Sequence, residues 1–242
     1  MDLTSSSTAP AVVPTSGLLA DKIVRMKQEF EHLVEATVDS FIENHVPLRK
    51  LQRSVMHIPV SLKRDLGSYF LEKASMILKT ESIESVFIFL STYWDYLSPG
   101  LLEFLVGRFA IDTVVELLRK YLEKLEQFLT DVKLGEYVTI QGIEFSSASR
   151  YQKITAIMGP GWGQKTLQDA VRYKAKLARE LEIQPFLVRF YATASSIAIT
   201  ICLPPWIEVK VKELEPFFKK AAVIKVYVDG VCHIDWTEQV KL

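Results

Sequence analysis

This sequence predicts an α+β fold: an N-terminal helical bundle followed by a small ferredoxin-like domain. Three observations carry the prediction. Apolar residues recur at three- and four-residue steps from Leu18 to Val132, the period of helices with one buried face. After Val132 that period gives way to short extended runs. Those runs alternate with two further helical stretches in the order strand, helix, strand, strand, helix, strand, the βαββαβ pattern of two helices on one face of an antiparallel sheet.

Residues 1–17 read as a disordered leader, because Asp2 stands where a signal peptide carries base and Pro10 and Pro14 interrupt the apolar run. The bundle is assigned to 18–132. Its first helix carries Leu19, Ile23, Met26, Phe30, Leu33 and Val34 on one side, and Pro47 and Pro59 mark turns between the next helices. Ser61 to Leu78 places Leu62, Leu66, Phe70, Ala74 and Ile77 together. Ser82 is expected to cap a helix over SIESVFIFLSTYWDYL, with Glu84 in its first turn. Ser98 is read as the following cap and Pro99 as the first helical residue, where a missing N–H costs nothing. Asp112 opens the last long helix, with Val115, Leu118, Leu122, Leu125 and Leu129 as its stripe.

The second unit is assigned to 133–242. Tyr137–Ile140 and Ile143–Phe145 read as extended, with Gly142 as a bulge between them. The βαββαβ elements are placed at Lys153–Met158, Thr166–Glu182, Phe186–Ala192, Ser195–Leu203, Trp206–Lys220 and Val223–Asp229. Thr193-Ala194 leaves room only for a hairpin.

The 242 residues include 29 basic and 29 acidic ones, so net charge predicts neither nucleic-acid nor membrane binding. The balance is uneven along the chain. Residues 1–132 hold 14 Lys and Arg against 18 Asp and Glu, and residues 133–242 hold 15 against 11. No apolar run reaches the length of a membrane-spanning helix. Cys202 and Cys232 are too few for a disulfide framework and form no CxxC, so they read as reduced core thiols in a cytoplasmic protein.

GPGWGQKT, Gly159–Thr166, has the spelling of a phosphate loop. A Walker loop requires glycine immediately before Lys-Thr so that backbone amides can wrap a phosphate. Gln164 occupies that place, and Trp162 fills the loop. The alternative is a capped turn, in which Thr166 and Asp169 form a capping-box-like pair. A divergent nucleotide site would use Lys165 and Thr166, with Asp229 at the end of a Walker-B-like strand. Cys232-His233-Asp235 offers no thiol catalysis if extended, since neighbouring strand residues face opposite ways, and it reads as a strand end with one buried thiol. His32, His45 and His57 lack metal-ligand spacing, and Glu180 and Glu182 read as solvated carboxylates. RNA binding is the third reading. It is disfavoured because Ser195–Cys202 and Lys153–Met158 offer no base-stacking aromatic.

Two surfaces remain as candidate partner contacts. Arg172, Lys176 and Arg179 fall at i, i+4 and i+7, opposite Leu167, Val171, Ala178 and Leu181, and would suit an acidic surface. Tyr93, Trp94 and Tyr96 belong to the densest aromatic run and serve as anchors wherever they are not core.

STYWDYLSPGLLEFLVGRF with VVELLRKYLEKLEQFLTDVKL, and WGQKTLQDAVRYKAKLARELEI with SSIAITICLPPWI, resemble a poorly characterised module of animal proteins. That module is found beside death-fold or innate-immune receptor domains. The likeness spans Ser82 to Asp235; this chain has Ser195 where the family has glycine, and Ile201 or Cys202 where it has tryptophan. The resemblance implies a signalling scaffold with no catalytic residue. The expectation is therefore a non-enzymatic protein-interaction module with no cofactor and no metal, whose partners are proteins, a second copy of itself among them.

Overall fold

Proline and short polar turns cut the first half into helices, as the periodicity requires. The computed structural model describes residues 15–141, 152–183, 187–193, 196–203 and 211–237. Helix α1 spans Thr15–Glu43 and buries Ile23, Met26, Phe30, Leu33 and Phe41. It begins inside the segment assigned to the leader, whose residues 1–14 lie outside the described residues. Pro47 and Pro59 directly precede α2 (Leu48–Met56) and α3 (Val60–Lys73), and a 3-10 turn over Ala74–Lys79 follows. Buried Gln52 ties α2 to that turn, its Nε2 donating to Ile77 O at 3.0 Å and Thr80 O at 2.9 Å.

Helix α4 runs Ile83–Ser91, and the Ser82 side chain accepts from the Ser85 amide at 3.2 Å. It stops well short of the expected Leu97. Asp95 Oδ1 takes the Leu97 amide at 2.9 Å and Asp95 bridges Ser98, so Tyr93–Leu97 is a closed turn rather than helix. Helix α5 spans Gly100–Phe109 with Pro99 at its cap position and no side-chain cap, so Ser98 does not cap it. Helix α6 covers Asp112–Asp131 and buries Val114, Leu118, Tyr121, Leu125 and Phe128, while Val115 is 41% exposed. The buried face is thus rotated from the leucine stripe read in the sequence, because Tyr121 and Phe128 bring more apolar area inward than Val115 and Leu122.

Tyr137–Ile140 is helical, contrary to the extended reading, and lies in α7 (Leu134–Gln141). Leu134 and Val138, one turn apart, are buried at 1% and 2%, so packing overrides the β propensity of a Tyr-Val-Thr-Ile run. Gly135 permits the approach: a Cβ there would stand 3.0 Å from Gly163 O. The expected bulge at Gly142 and strand at Ile143–Phe145 lie outside the described residues.

The second half contains β1 (Gln152–Met158), α8 (Leu167–Glu180), β2 (Val188–Ala192), β3 (Ile197–Leu203), α9 (Val211–Lys220), β4 (Val223–Val228) and β5 (Val231–Asp235). The fold is therefore mixed helix and antiparallel sheet. Strand order is β2-β3-β1-β4-β5, with every neighbouring pair antiparallel. Strand β5 is an addition to the expected order. It follows a tight turn in which Asp229 (φ 47°) and Gly230 (φ 86°) are both left-handed, the backbone that an Asp-Gly hairpin demands. Cys232 on β5 is exposed, so the expectation of a buried thiol there is corrected; Cys202 on β3 is half-buried, and burial raises its thiol pKa.

One apolar cluster runs from Ile23 to Trp236 and crosses the junction at Val132. The junction itself is stitched by backbone. Leu134 N donates to Lys165 O at 2.9 Å and Leu167 N to Val132 O at 2.8 Å, on either side of a Lys133–Thr166 bridge. A part-buried ion pair, Lys174 to Asp95 at 3.2 Å, joins α8 to the turn after α4.

Candidate functional site

Between β1 and α8, Gly159–Thr166 forms a 3-10 turn over Pro160–Gln164 followed by an extended pair. Its amides are largely committed. Gly159 N donates to Ala222 O (2.8 Å), Trp162 N to Gly159 O (3.2 Å), Lys165 N to Trp162 O (3.1 Å), Thr166 N to Asp169 Oδ2 (3.3 Å) and Leu167 N to Val132 O (2.8 Å). Asp169 N donates back to Thr166 Oγ1 at 3.2 Å, completing a capping box. These amides are not free to form an anion nest. Asp229 lies at the other end of the sheet, where its Oδ1 accepts the Lys153 amide at 2.8 Å. Lys153 and Met158 stand five residues apart along β1, roughly 17 Å at strand rise, so Asp229 does not share a site with Lys165 and Thr166.

Thr166→Ala is expected to cost about 1 kcal/mol, in the range for loss of an N-cap. Thr166→Ser is expected to restore nearly all of it. Urea unfolding of the three proteins is the measurement, and an unchanged midpoint in the alanine variant would show that the box contributes nothing.

Trp162 is the centre of this region. It is 5% exposed, its Nε1–H donates to Ala221 O at 2.7 Å, and its ring lies 5.0 Å from Tyr173 and 5.7 Å from Phe190. Phe190 is half-buried, with its ring packed against Trp162. Tyr173 extends the aromatic row to Phe217 of α9 at 5.3 Å, and burial raises its hydroxyl pKa. Lys165 Nζ sits over the Trp162 ring at 5.2 Å and Lys176 Nζ over Phe217 at 5.5 Å. These groups line an open cleft of about 730 Å³ that also receives Lys220. The cleft is assembled from the loop, α8 and the end of α9, and its aromatic wall was not anticipated from the sequence.

Of the anchors read in the sequence, Tyr93 and Tyr96 serve the core. Tyr93 packs edge-on against Phe70 at 4.9 Å. The Tyr96 hydroxyl shares a 2.7 Å hydrogen bond with Tyr137, and the Tyr121 hydroxyl donates to the Tyr96 carbonyl. Burial, reinforced by Tyr137, raises the pKa of the Tyr96 hydroxyl; burial pushes that of Tyr137 up to about 12. Trp94 packs against Phe87 at 5.5 Å and Phe30 at 6.4 Å, yet part of it reaches a surface groove. Arg172, Lys176 and Arg179 are all exposed on α8, so the sequence places that basic edge on the surface as expected.

The groove lies between α1 and α4 and measures about 450 Å³. Val34, Val38, Phe87 and Trp94 form its apolar floor, and Glu35, Asp39 and Glu84 stand around it. Ile88, also lining it, is 71% exposed, and Ile42, one turn beyond Val38, is 40% exposed. Glu84 sits in the first turn of α4, where its own backbone amide and the Ser82 hydroxyl lower its carboxyl pKa. Sequence reasoning missed this groove because its residues come from two helices some fifty positions apart.

No helix among the described residues is long and apolar enough to cross a membrane, and none of their His, Cys, Asp and Glu side chains gather in threes as a metal site would require. No family model, curated protein or solved structure matches this chain.

Proposed function

We propose that this protein is a non-enzymatic interaction module that holds a basic amphipathic helix of a partner protein in the groove between α1 and α4. The observation that carries the reading is the union of an apolar floor, the unpartnered Ile88 and three surrounding carboxylates in one groove. An amphipathic helix would lay its apolar stripe on Phe87, Ile88 and Trp94, with lysines or arginines beside Glu35, Asp39 and Glu84. The excess of acid in residues 1–132 favours the same sign of partner.

In this reading the strand order β2-β3-β1-β4 supports a ferredoxin-like unit, and residues 18–132 a bundle, with β5 added at the edge. The module would work in the cytoplasm, where Cys202 and Cys232 stay reduced. The likeness of Ser82–Asp235 to modules beside death-fold domains supports a place in innate-immune signalling.

The test is fluorescence anisotropy with a labelled synthetic peptide of about four helical turns, carrying a leucine stripe flanked by lysine. Saturable binding is expected, weakened at least about tenfold by Ile88→Asp, a loss of about 1.4 kcal/mol. A peptide with glutamate in place of lysine should not bind. Because Ile88 is exposed, the melting temperature should hold. Equal capture of both peptides, or indifference to Ile88→Asp, would remove the groove from the account.

A further inference from the structure

The geometry points to a second binding site, independent of the groove: the cleft over Trp162, Tyr173 and Phe217 takes a small aromatic ligand that carries a phosphate.

Three features of the cleft define that chemistry. Its volume, about 730 Å³, falls in the range of small-molecule sites rather than of surface dimples. Its wall carries the half-buried rings of Tyr173 and Phe217, 5.3 Å apart, with the buried Trp162 ring packed against Tyr173 at 5.0 Å, so the two partly open rings offer a planar body its aromatic contacts. Its charge is positive, since Lys165, Lys176 and Lys220 line it against the single carboxylate of Asp169. That carboxylate is already held by the amide and hydroxyl of Thr166, at 3.3 and 3.0 Å. Among the described residues no carboxylate pairs with any of the three lysines. Two of their ammonium groups rest over ring faces, contacts that fix the position of a cation without neutralising it.

The same geometry fixes how the phosphate is held. The amides of Gly159, Trp162, Lys165, Thr166 and Leu167 are committed within the protein and offer the phosphate no nest, so the three lysine side chains supply the charge that holds it. Such a site needs no magnesium bridge and gains little from a second or third phosphate. Ring and phosphate contribute together: the ring alone meets an aromatic wall beside unneutralised charge, and phosphate alone leaves the open parts of Tyr173 and Phe217 wet.

Isothermal titration of the full chain with phenyl phosphate, adenosine monophosphate, adenosine and inorganic phosphate tests the assignment. At least one ring-bearing phosphate should saturate the protein below about 1 mM, an affinity near −4 kcal/mol. It should bind at least tenfold tighter than adenosine or phosphate alone, with no magnesium requirement. Adenosine monophosphate binding more tightly than phenyl phosphate would identify a nucleotide, and equal binding would identify the ring–phosphate pair as sufficient. Lys176→Glu with Lys220→Glu, both surface changes, should weaken binding at least tenfold while leaving the melting temperature and binding of the basic peptide intact. Three results would each overturn the site: no saturation by either ring-bearing phosphate, phosphate alone binding as tightly, or affinity unmoved by the double substitution. None of the three touches the groove between α1 and α4.

Discussion

Trp162→Ala is expected to lower stability by about 3–5 kcal/mol, the range for deleting a large buried aromatic side chain. Two contributions add at this residue. The ring is 5% exposed and packs on Tyr173 and Phe190, so its removal opens a cavity between the loop, α8 and β2. The indole N–H also satisfies Ala221 O, in the turn between α9 and β4. Losing it leaves that carbonyl in an apolar setting, a penalty of about 1–3 kcal/mol. Trp162→Phe separates the two effects: it keeps most of the packing, loses the donor, and should fall between wild type and alanine. Urea unfolding followed by far-UV circular dichroism is the measurement, and a loss under about 1 kcal/mol in the alanine variant would show that the loop is not anchored by this ring.

Phe41→Ala is expected to cost a similar amount, about 3–5 kcal/mol, among the helices of the first half of the chain. Phe41 is fully buried on α1, edge-on to Phe87 of α4 at 5.6 Å and tilted against Phe109 of α5 at 4.9 Å. No small movement of one helix fills the space that three helices share. The pair of variants also tests whether the two halves unfold together. The apolar cluster is continuous across Val132, the junction is bridged by backbone hydrogen bonds, and Lys174 pairs with Asp95 across it. Phe41→Ala and Trp162→Ala should therefore each lower the midpoint of one shared transition. Two separate transitions, each moved by only one variant, would show that 18–132 and 133–242 are energetically independent.

Local grammar was legible wherever chain neighbours decide the outcome. Pro47 and Pro59 mark turns between helices, each standing at the cap position that opens the next helix. Ser82 caps α4 and Thr166 with Asp169 caps α8 through bonds spanning only three residues. The substitution of Gln164 for glycine pointed away from a phosphate nest, and the committed amides give the physical reason. Errors arose where packing competes with propensity. Tyr137–Ile140 has β-branched character, yet α7 forms because Leu134 and Val138 find a buried surface beside Gly163. On α6, the choice between Val114 and Val115 depends on where α1 and α5 lie. No periodicity within one helix contains that information.

By itself the sequence determined the βαββαβ order from β1 to β4, the turns at Pro47 and Pro59, the caps at Ser82 and Thr166 and the basic edge of α8, because each is set by interactions a few residues long. Only the tertiary structure decided which aromatics face inward, that Asp229 stands at the far end of β1 from Lys165, and that Trp162, Lys176 and Phe217 share one cleft. Those facts join residues dozens of positions apart. Their proximity is fixed by the burial of one apolar core, which the order of residues along the chain does not state.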